Sequence, residues 1–218
     1  MATPLIIVGA GGFGREVLCL VRDIECASPG TWDFKGFVAA DVPDPEVLSR
    51  INASYLGSPD DMTLLQELKG SSYVVAIGDG TARERVTNEV AVVLGQAVAL
   101  IHPTAMIGQD VRVAHGVVVC AGCTLTTNIS VEAGSVLDRG TMIGHDCSIG
   151  HSVTLGPRTT VSGNVVVHDR AYLGTASTIL QGITIGEGST IGAGAVVTRD
   201  IPAGVTAVGI PATPHVSR

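Results

Sequence analysis

The chain has 218 residues, 45% of them hydrophobic but only 3% aromatic, with 28 glycines and a net charge of −7. An acidic chain without a basic run is not built to hold nucleic acid, and its apolar stretches fall far short of the ~20 residues that span a bilayer. No basic leader precedes the first strand, so the cytoplasm is the expected compartment.

Leu5-Ile6-Ile7-Val8 reads as a short buried strand, and an apolar-periodic helix runs from the following glycine turn to about Ile24. Phe34–Val38 is predicted to be a second strand and Tyr73–Ile77 a third, with helices over Asp60–Leu68 and Thr81–Leu94. Strand and helix in alternation imply a Rossmann-like parallel sheet flanked by helices, over residues 1–100. Gly9-Ala10-Gly11-Gly12-Phe13-Gly14 stands between strand and helix, the context in which a glycine turn brings backbone N–H groups up to a phosphate. The turn serves structure alone or seats a phosphate or nucleotide. The acid expected after the second strand is displaced, because Ala39-Ala40 precede Asp41, and the domain is too short for two mononucleotide halves. Nicotinamide redox chemistry is therefore unsupported.

Beyond Ile101-His102-Pro103 the pattern changes. An aliphatic residue recurs every six positions from Ile101 to Val197, often followed at once by Gly, as at Gly108, Gly144 and Gly156. A period of six fits neither an amphipathic helix nor an alternating strand and marks a repeat architecture. The residue four after each aliphatic is small or β-branched, as at Cys123, Ser135, Thr141, Cys147 and Ala171. One large and one small inward position per hexad is what a narrow β-coil requires, and Gly after the aliphatic is expected to supply the turn's backbone angles. Cys123 and Cys147 should then be buried packing residues rather than metal ligands.

These features resemble the sialic acid O-acetyltransferase-type family of hexapeptide-repeat acyltransferases. The resemblance rests on GAGGFG, Ile101-His102-Pro103-Thr104-Ala105, Ile143-Gly144-His145-Asp146-Cys147-Ser148-Ile149-Gly150, the run Gly192–Val197, and the closing Gly209-Ile210-Pro211-Ala212. It implies a left-handed parallel β-helix over residues 101–218, three hexads to a coil, with a C-terminal tail and a homotrimeric assembly. Residues eighteen apart should then stack at one strand spacing, roughly 4.8 Å. It further implies acetyl transfer from acetyl-CoA to the amino group of a nucleotide-linked 4-amino-4,6-dideoxy sugar that enters polysaccharide biosynthesis, with no metal.

Such a reaction needs a base for the amine proton and a donor for the carbonyl oxygen of the tetrahedral intermediate. His145 is the candidate base, since imidazole titrates near working pH, and Asp146 is its candidate partner, although neighbours on a strand point opposite ways unless they sit at a corner. Gly163, eighteen residues after His145, lies one coil above it and offers a bare N–H to the acyl oxygen. The resemblance places acetyl-CoA against Gly163, Thr154, Thr175 and Ala193, the nucleotide against Gly11, Gly12, Phe13 and Gly78, and the sugar beside Asp138. Two positions depart from the family pattern: Asp138 stands where an Asn is usual, and Thr154 where a second His contacts the donor.

The other histidines read differently. His115 and His151 share a slot two coils apart, too far to ligate one metal ion, and His102, His168 and His215 are expected to be solvated. Two rival functions remain: O-acetylation of a sugar hydroxyl, and a noncatalytic trimeric ligand-sensing module.

Overall fold

The computed structural model describes residues 2–215; the last three residues of the expected tail lie outside that range. It divides into two compact units between Pro103 and Thr104.

The first unit is a four-stranded parallel sheet in the order β3-β2-β1-β4, formed by β1 (Thr3–Val8), β2 (Trp32–Val38), β3 (Tyr55–Gly57) and β4 (Ser72–Val75). Its helices are α1 (Gly12–Ala27), α2 (Pro45–Arg50), α3 (Met62–Glu67) and α4 (Gly80–Leu94). Leu5 to Val8 are buried without alternation, as expected of a strand covered on both faces. Helix α1 buries Val17, Leu18, Leu20 and Val21 on one side, each contributing about 1.5–3 kcal/mol if it goes from fully exposed to fully buried. Both α2 and β3 go beyond the sequence-based expectation. Neither is long enough to show a period, but Asp44-Pro45 is a start signal: the Asp44 carboxylate accepts the Glu46 N–H, and Pro45 occupies the first turn.

The second unit is a left-handed β-helix of three stacked sheets, parallel except where Thr213–Pro214 closes one of them antiparallel to Thr206–Val208. Face one runs from Met106–Ile107 to Val196–Val197, face two from Val111–Val113 to Thr184–Ile185, and face three from Val118–Val119 to Thr206–Val208. The register advances by eighteen, pairing Met142 with Thr160 and Ser148 with Val166. Near the end it shortens, pairing Thr190 with Thr206 and Ile185 with Ile201, and there the Asp200 carboxylate takes the Thr184 N–H at 2.8 Å.

Both inward positions of each hexad are filled as the pattern predicts, from Leu125 and Ile129 up to Ile191 and Ala195. The exceptions are at the start of the stack, where Ile107 is 38% exposed. Some inward hydroxyls bond the coil above: Ser135 Oγ donates to the Gly150 carbonyl at 2.7 Å. Cys120, Cys123 and Cys147 are buried, and burial pushes the Cys123 thiol up to about 11, far from a thiolate at working pH.

One expectation is corrected. Gly immediately after the aliphatic does not supply the turn's angles; the left-handed residue comes two positions later, at Asp110, Asn128, Asp146 and Asn164 along one corner, with φ of 52–60°. The glycines are there for room. A Cβ on Gly144 would lie 2.8 Å from the Gly163 nitrogen, and one on Gly108 would lie 1.6 Å from the Thr126 carbonyl oxygen.

Candidate active site

Two places in the chain gather chemistry. The first is a cleft of about 580 Å³ at the carboxyl end of β1, lined by the Gly9–Phe13 turn, the Ala39–Asp44 segment and Ala76–Gly78. All four residues expected to hold the nucleotide, Gly11, Gly12, Phe13 and Gly78, face it. Its glycines divide by role. Gly9 needs its left-handed φ of 111°, and a Cβ on Gly14 would sit 2.0 Å from the Gly9 carbonyl oxygen, so these two fix the close approach of helix to strand. A Cβ on Gly11 or Gly12 would meet nothing within 4 Å, so packing within the protein does not account for these glycines. They sit at the start of α1, where the first N–H groups have no intrahelical partner and the helix dipole is positive.

The sequence reading missed Arg83. It is only 1% exposed, and its guanidinium donates to the carbonyls of Ile77 at 2.6 Å and Gly78 at 3.1 Å, holding the segment that forms one side of the cleft. Burial lowers its pKa to about 10, partly offset by Asp79, so it stays charged near neutrality. A buried charge inside a helical pattern has no periodic signature. Arg15 and Arg85 also line the cleft.

The second place is one corner of the β-helix. The Asp146 backbone turns left-handed, φ 60°, which swings its carboxylate back toward the preceding residue, and His145 Nδ1 lies 2.6 Å from Asp146 Oδ2. The corner geometry thus overrides the strand rule. The other carboxylate oxygen accepts the Asn128 side-chain N–H at 2.6 Å. These two hydrogen bonds, that from Asn128 foremost, hold the Asp146 carboxyl below the usual carboxylate range. With Nδ1 engaged, Nε2 is the nitrogen left for a further partner. Gly163 stands directly over the ring: a Cβ there would lie 2.5 Å from both Nε2 and Cε1. The Asn164 N–H bonds the His145 carbonyl at 2.8 Å, while among the described residues the Gly163 N–H has no acceptor.

The remaining expected residues lie elsewhere in the chain's own coil. Thr175 and Ala193 stack on the corner between faces three and one, linked by the Gly194 N–H to the Thr175 carbonyl at 2.8 Å, and their own N–H groups also lack acceptors among the described residues. Asp138 opens that same corner lower down, its carboxylate accepting the Arg139 N–H at 2.6 Å and Nε–H at 3.2 Å. Thr154 is 8% exposed on face three. Within one chain, then, His145, Asp146 and Gly163 are brought together, whereas Thr175, Ala193 and Asp138 occupy a different edge. His115 and His151 lie on the third corner, and the described residues hold no cluster of three or more metal-ligating side chains. His102 is corrected: it is 9% exposed, with Nε2 3.0 Å from Asp23 Oδ2, not solvated.

Fold and site together define a hexapeptide-repeat transferase. Residues 4–90 match the PglD N-terminal domain and residues 164–199 match the bacterial transferase hexapeptide repeats. A variant of perosamine N-acetyltransferase from Caulobacter crescentus, solved with CoA and GDP-perosamine, is 30% identical with a TM-score of 0.87, covering 98% of this chain and 97% of that one. The acetyltransferase domain of PglB from Neisseria gonorrhoeae FA1090, in complex with acetyl coenzyme A, is 26% identical with a TM-score of 0.86, covering 99% and 100%. WeeI from Acinetobacter baumannii AYE is 29% identical with a TM-score of 0.76, covering 98% and 100%. No curated protein sequence matches the chain. The chain belongs to the sialic acid O-acetyltransferase-type family of hexapeptide-repeat acyltransferases, as its motifs imply.

Proposed function

We propose that the protein transfers acetyl from acetyl-CoA to the amino group of a nucleotide-linked 4-amino-4,6-dideoxy sugar, with His145 as general base. The observation that carries this is the stack of Gly163 over an imidazole whose Nδ1 is tied to Asp146. The acceptor amine attacks the thioester carbonyl while Nε2 takes its proton; the Gly163 N–H stabilises the oxyanion, and collapse of the intermediate expels CoA thiolate, which recovers the proton. Asp146 stabilises the transient imidazolium. The cleft of the first unit would hold the nucleotide, its phosphates against the N–H groups of Gly11, Gly12 and Phe13, with Gly78 on the other wall. CoA and GDP-perosamine in the Caulobacter enzyme support this choice of substrates.

A homotrimer would complete the site. Outward residues on face two include Arg112, Ser130, Ser148 and Thr184, whereas face one presents Met106, Thr124, Met142, Thr160, Thr178 and Val196 without a charge. Met106 is 68% and Met142 48% exposed, a surface that suits a partner. Face one runs from the corner of Thr175 and Ala193 to the corner of His145. Packed about a threefold axis, it would set one protomer's His145 beside its neighbour's Thr175, Ala193 and Asp138, giving acetyl-CoA its groove and the amino sugar a carboxylate. The cytoplasm is the compartment proposed, and the five cysteines, all free, suit its reducing chemistry; among the described residues no helix is long and apolar enough to cross a membrane.

The test is CoA release from acetyl-CoA with a panel of GDP-, UDP- and dTDP-linked sugars, each offered in amino and hydroxyl form. Turnover confined to an amino sugar is expected. Turnover with the hydroxyl form alone would make the enzyme an O-acetyltransferase and overturn the proposal; binding without turnover would point to a ligand-sensing module.

A further inference from the structure

Asn128 lies one coil below Asp146 on the corner that carries His145. Its side-chain amide donates at 2.6 Å to Asp146 Oδ1, and Asp146 Oδ2 lies 2.6 Å from His145 Nδ1. Each carboxylate oxygen therefore has its own partner, and a chain of Asn128, Asp146 and His145 climbs the corner. We propose that Asn128 is a positioning residue for acyl transfer, holding the Asp146 carboxylate in the one orientation that presents Oδ2 to the imidazole. The inference rests on the reading of His145 as base.

The side chains of His145 and Asp146 are 52% and 42% exposed, and a pair so open to water gains little from Coulomb attraction alone. Left to itself, the carboxylate has solvated rotamers that abandon Nδ1. A second hydrogen bond on its far oxygen removes those rotamers. A neutral amide does so without cancelling the negative charge that stabilises the imidazolium, which a lysine or arginine at position 128 would offset.

A turn residue alone would also account for an asparagine here, since its φ is 52° and Asn tolerates the left-handed region. The test separates the two roles. Asn128→Gly keeps the turn at no steric cost and deletes the amide. Asn128→Asp keeps turn and shape but faces Asp146 with another acceptor. In the full-length enzyme, with acetyl-CoA and an acceptor the wild type uses, Asn128→Gly is expected to lower kcat about tenfold while both KM values stay within about twofold and Tm does not fall. Asn128→Asp should lose more. In an Asp146→Ala background, Asn128→Gly should have no further effect.

Wild-type kcat in folded Asn128→Gly overturns the inference, and so does an undiminished loss in the Asp146→Ala background. If Asn128→Gly does not fold, full activity in Asn128→Asp overturns it equally. His145→Ala separates this from the parent reading: retained turnover there defeats the base assignment, whereas its loss beside a fully active Asn128→Gly defeats the role of Asn128 alone.

Discussion

His145 is exposed like four of the other five histidines and differs from them in its neighbours. Its ring is sandwiched between a carboxylate one residue on and a glycine one coil up. That arrangement makes Gly163 sensitive to a single added methyl. Gly163→Ala puts a methyl 2.5 Å from the ring atoms, so the imidazole must leave its place beneath residue 163. A fall in kcat of ~100-fold is expected from such a displacement, read by steady-state kinetics beside an unchanged circular dichroism spectrum. The Asp146 carboxyl, held below the usual range, stays ionised throughout the working pH range. What it adds to stability is present above its unfolded value and is lost only as acid carries the pH through the lowered one.

Counting in eighteens brings His145 and Gly163 together from the sequence alone, because every corner repeats the same register. The same count places Asn128 under Asp146, yet the sequence reading passed over it, since an asparagine in a turn has a sufficient local explanation. Arg83 was invisible for another reason: it holds the backbone carbonyls of Ile77 and Gly78, and such contacts leave no trace in a sequence.

At the scale of elements, long or repeated patterns were legible and short ones were not. The hexads predict the buried residues of the coil because each inward slot is sampled many times. Six-residue α2 and three-residue β3 had no period to read, and only the Asp44-Pro45 cap marks the former. The glycines after the aliphatics were correctly singled out but for the wrong cause, since crowding by the next coil has no sequence signature of its own. The coil interior also carries a flaw that can be repaired. Among the described residues, only the Ser177 side chain is buried with its hydroxyl oxygen lacking any hydrogen-bond partner. Replacing it with Ala removes an unsatisfied polar group at small cost in volume, and Ser177→Ala is expected to stabilise the protein by about 1 kcal/mol. Thermal and denaturant unfolding measure this directly; a lower Tm would mean that the hydroxyl has a partner after all.

For the whole molecule, the division of the expected site between two corners of one coil has a consequence. If neighbouring protomers each supply one corner, an inactive His145→Ala protein and an inactive Ala193→Trp protein can rescue each other. Mixed trimers reassembled from the two should contain some sites with both corners intact, up to about one site in four if subunits mix freely and equally. Each variant alone should be nearly inactive, and the activity of the mixture measures the gain. Light scattering should give three copies per particle. A monomer with full activity would refute the shared site.

Acyl transfer by this protein is proposed to depend on the imidazole of His145. CoA release by wild type and by His145→Ala, with acetyl-CoA and a nucleotide-linked 4-amino sugar at saturation, tests it most directly. The variant is expected to keep its fold and assembly while its kcat falls at least ~100-fold, the contribution of a positioned general base. Undiminished kcat in a folded His145→Ala would contradict it.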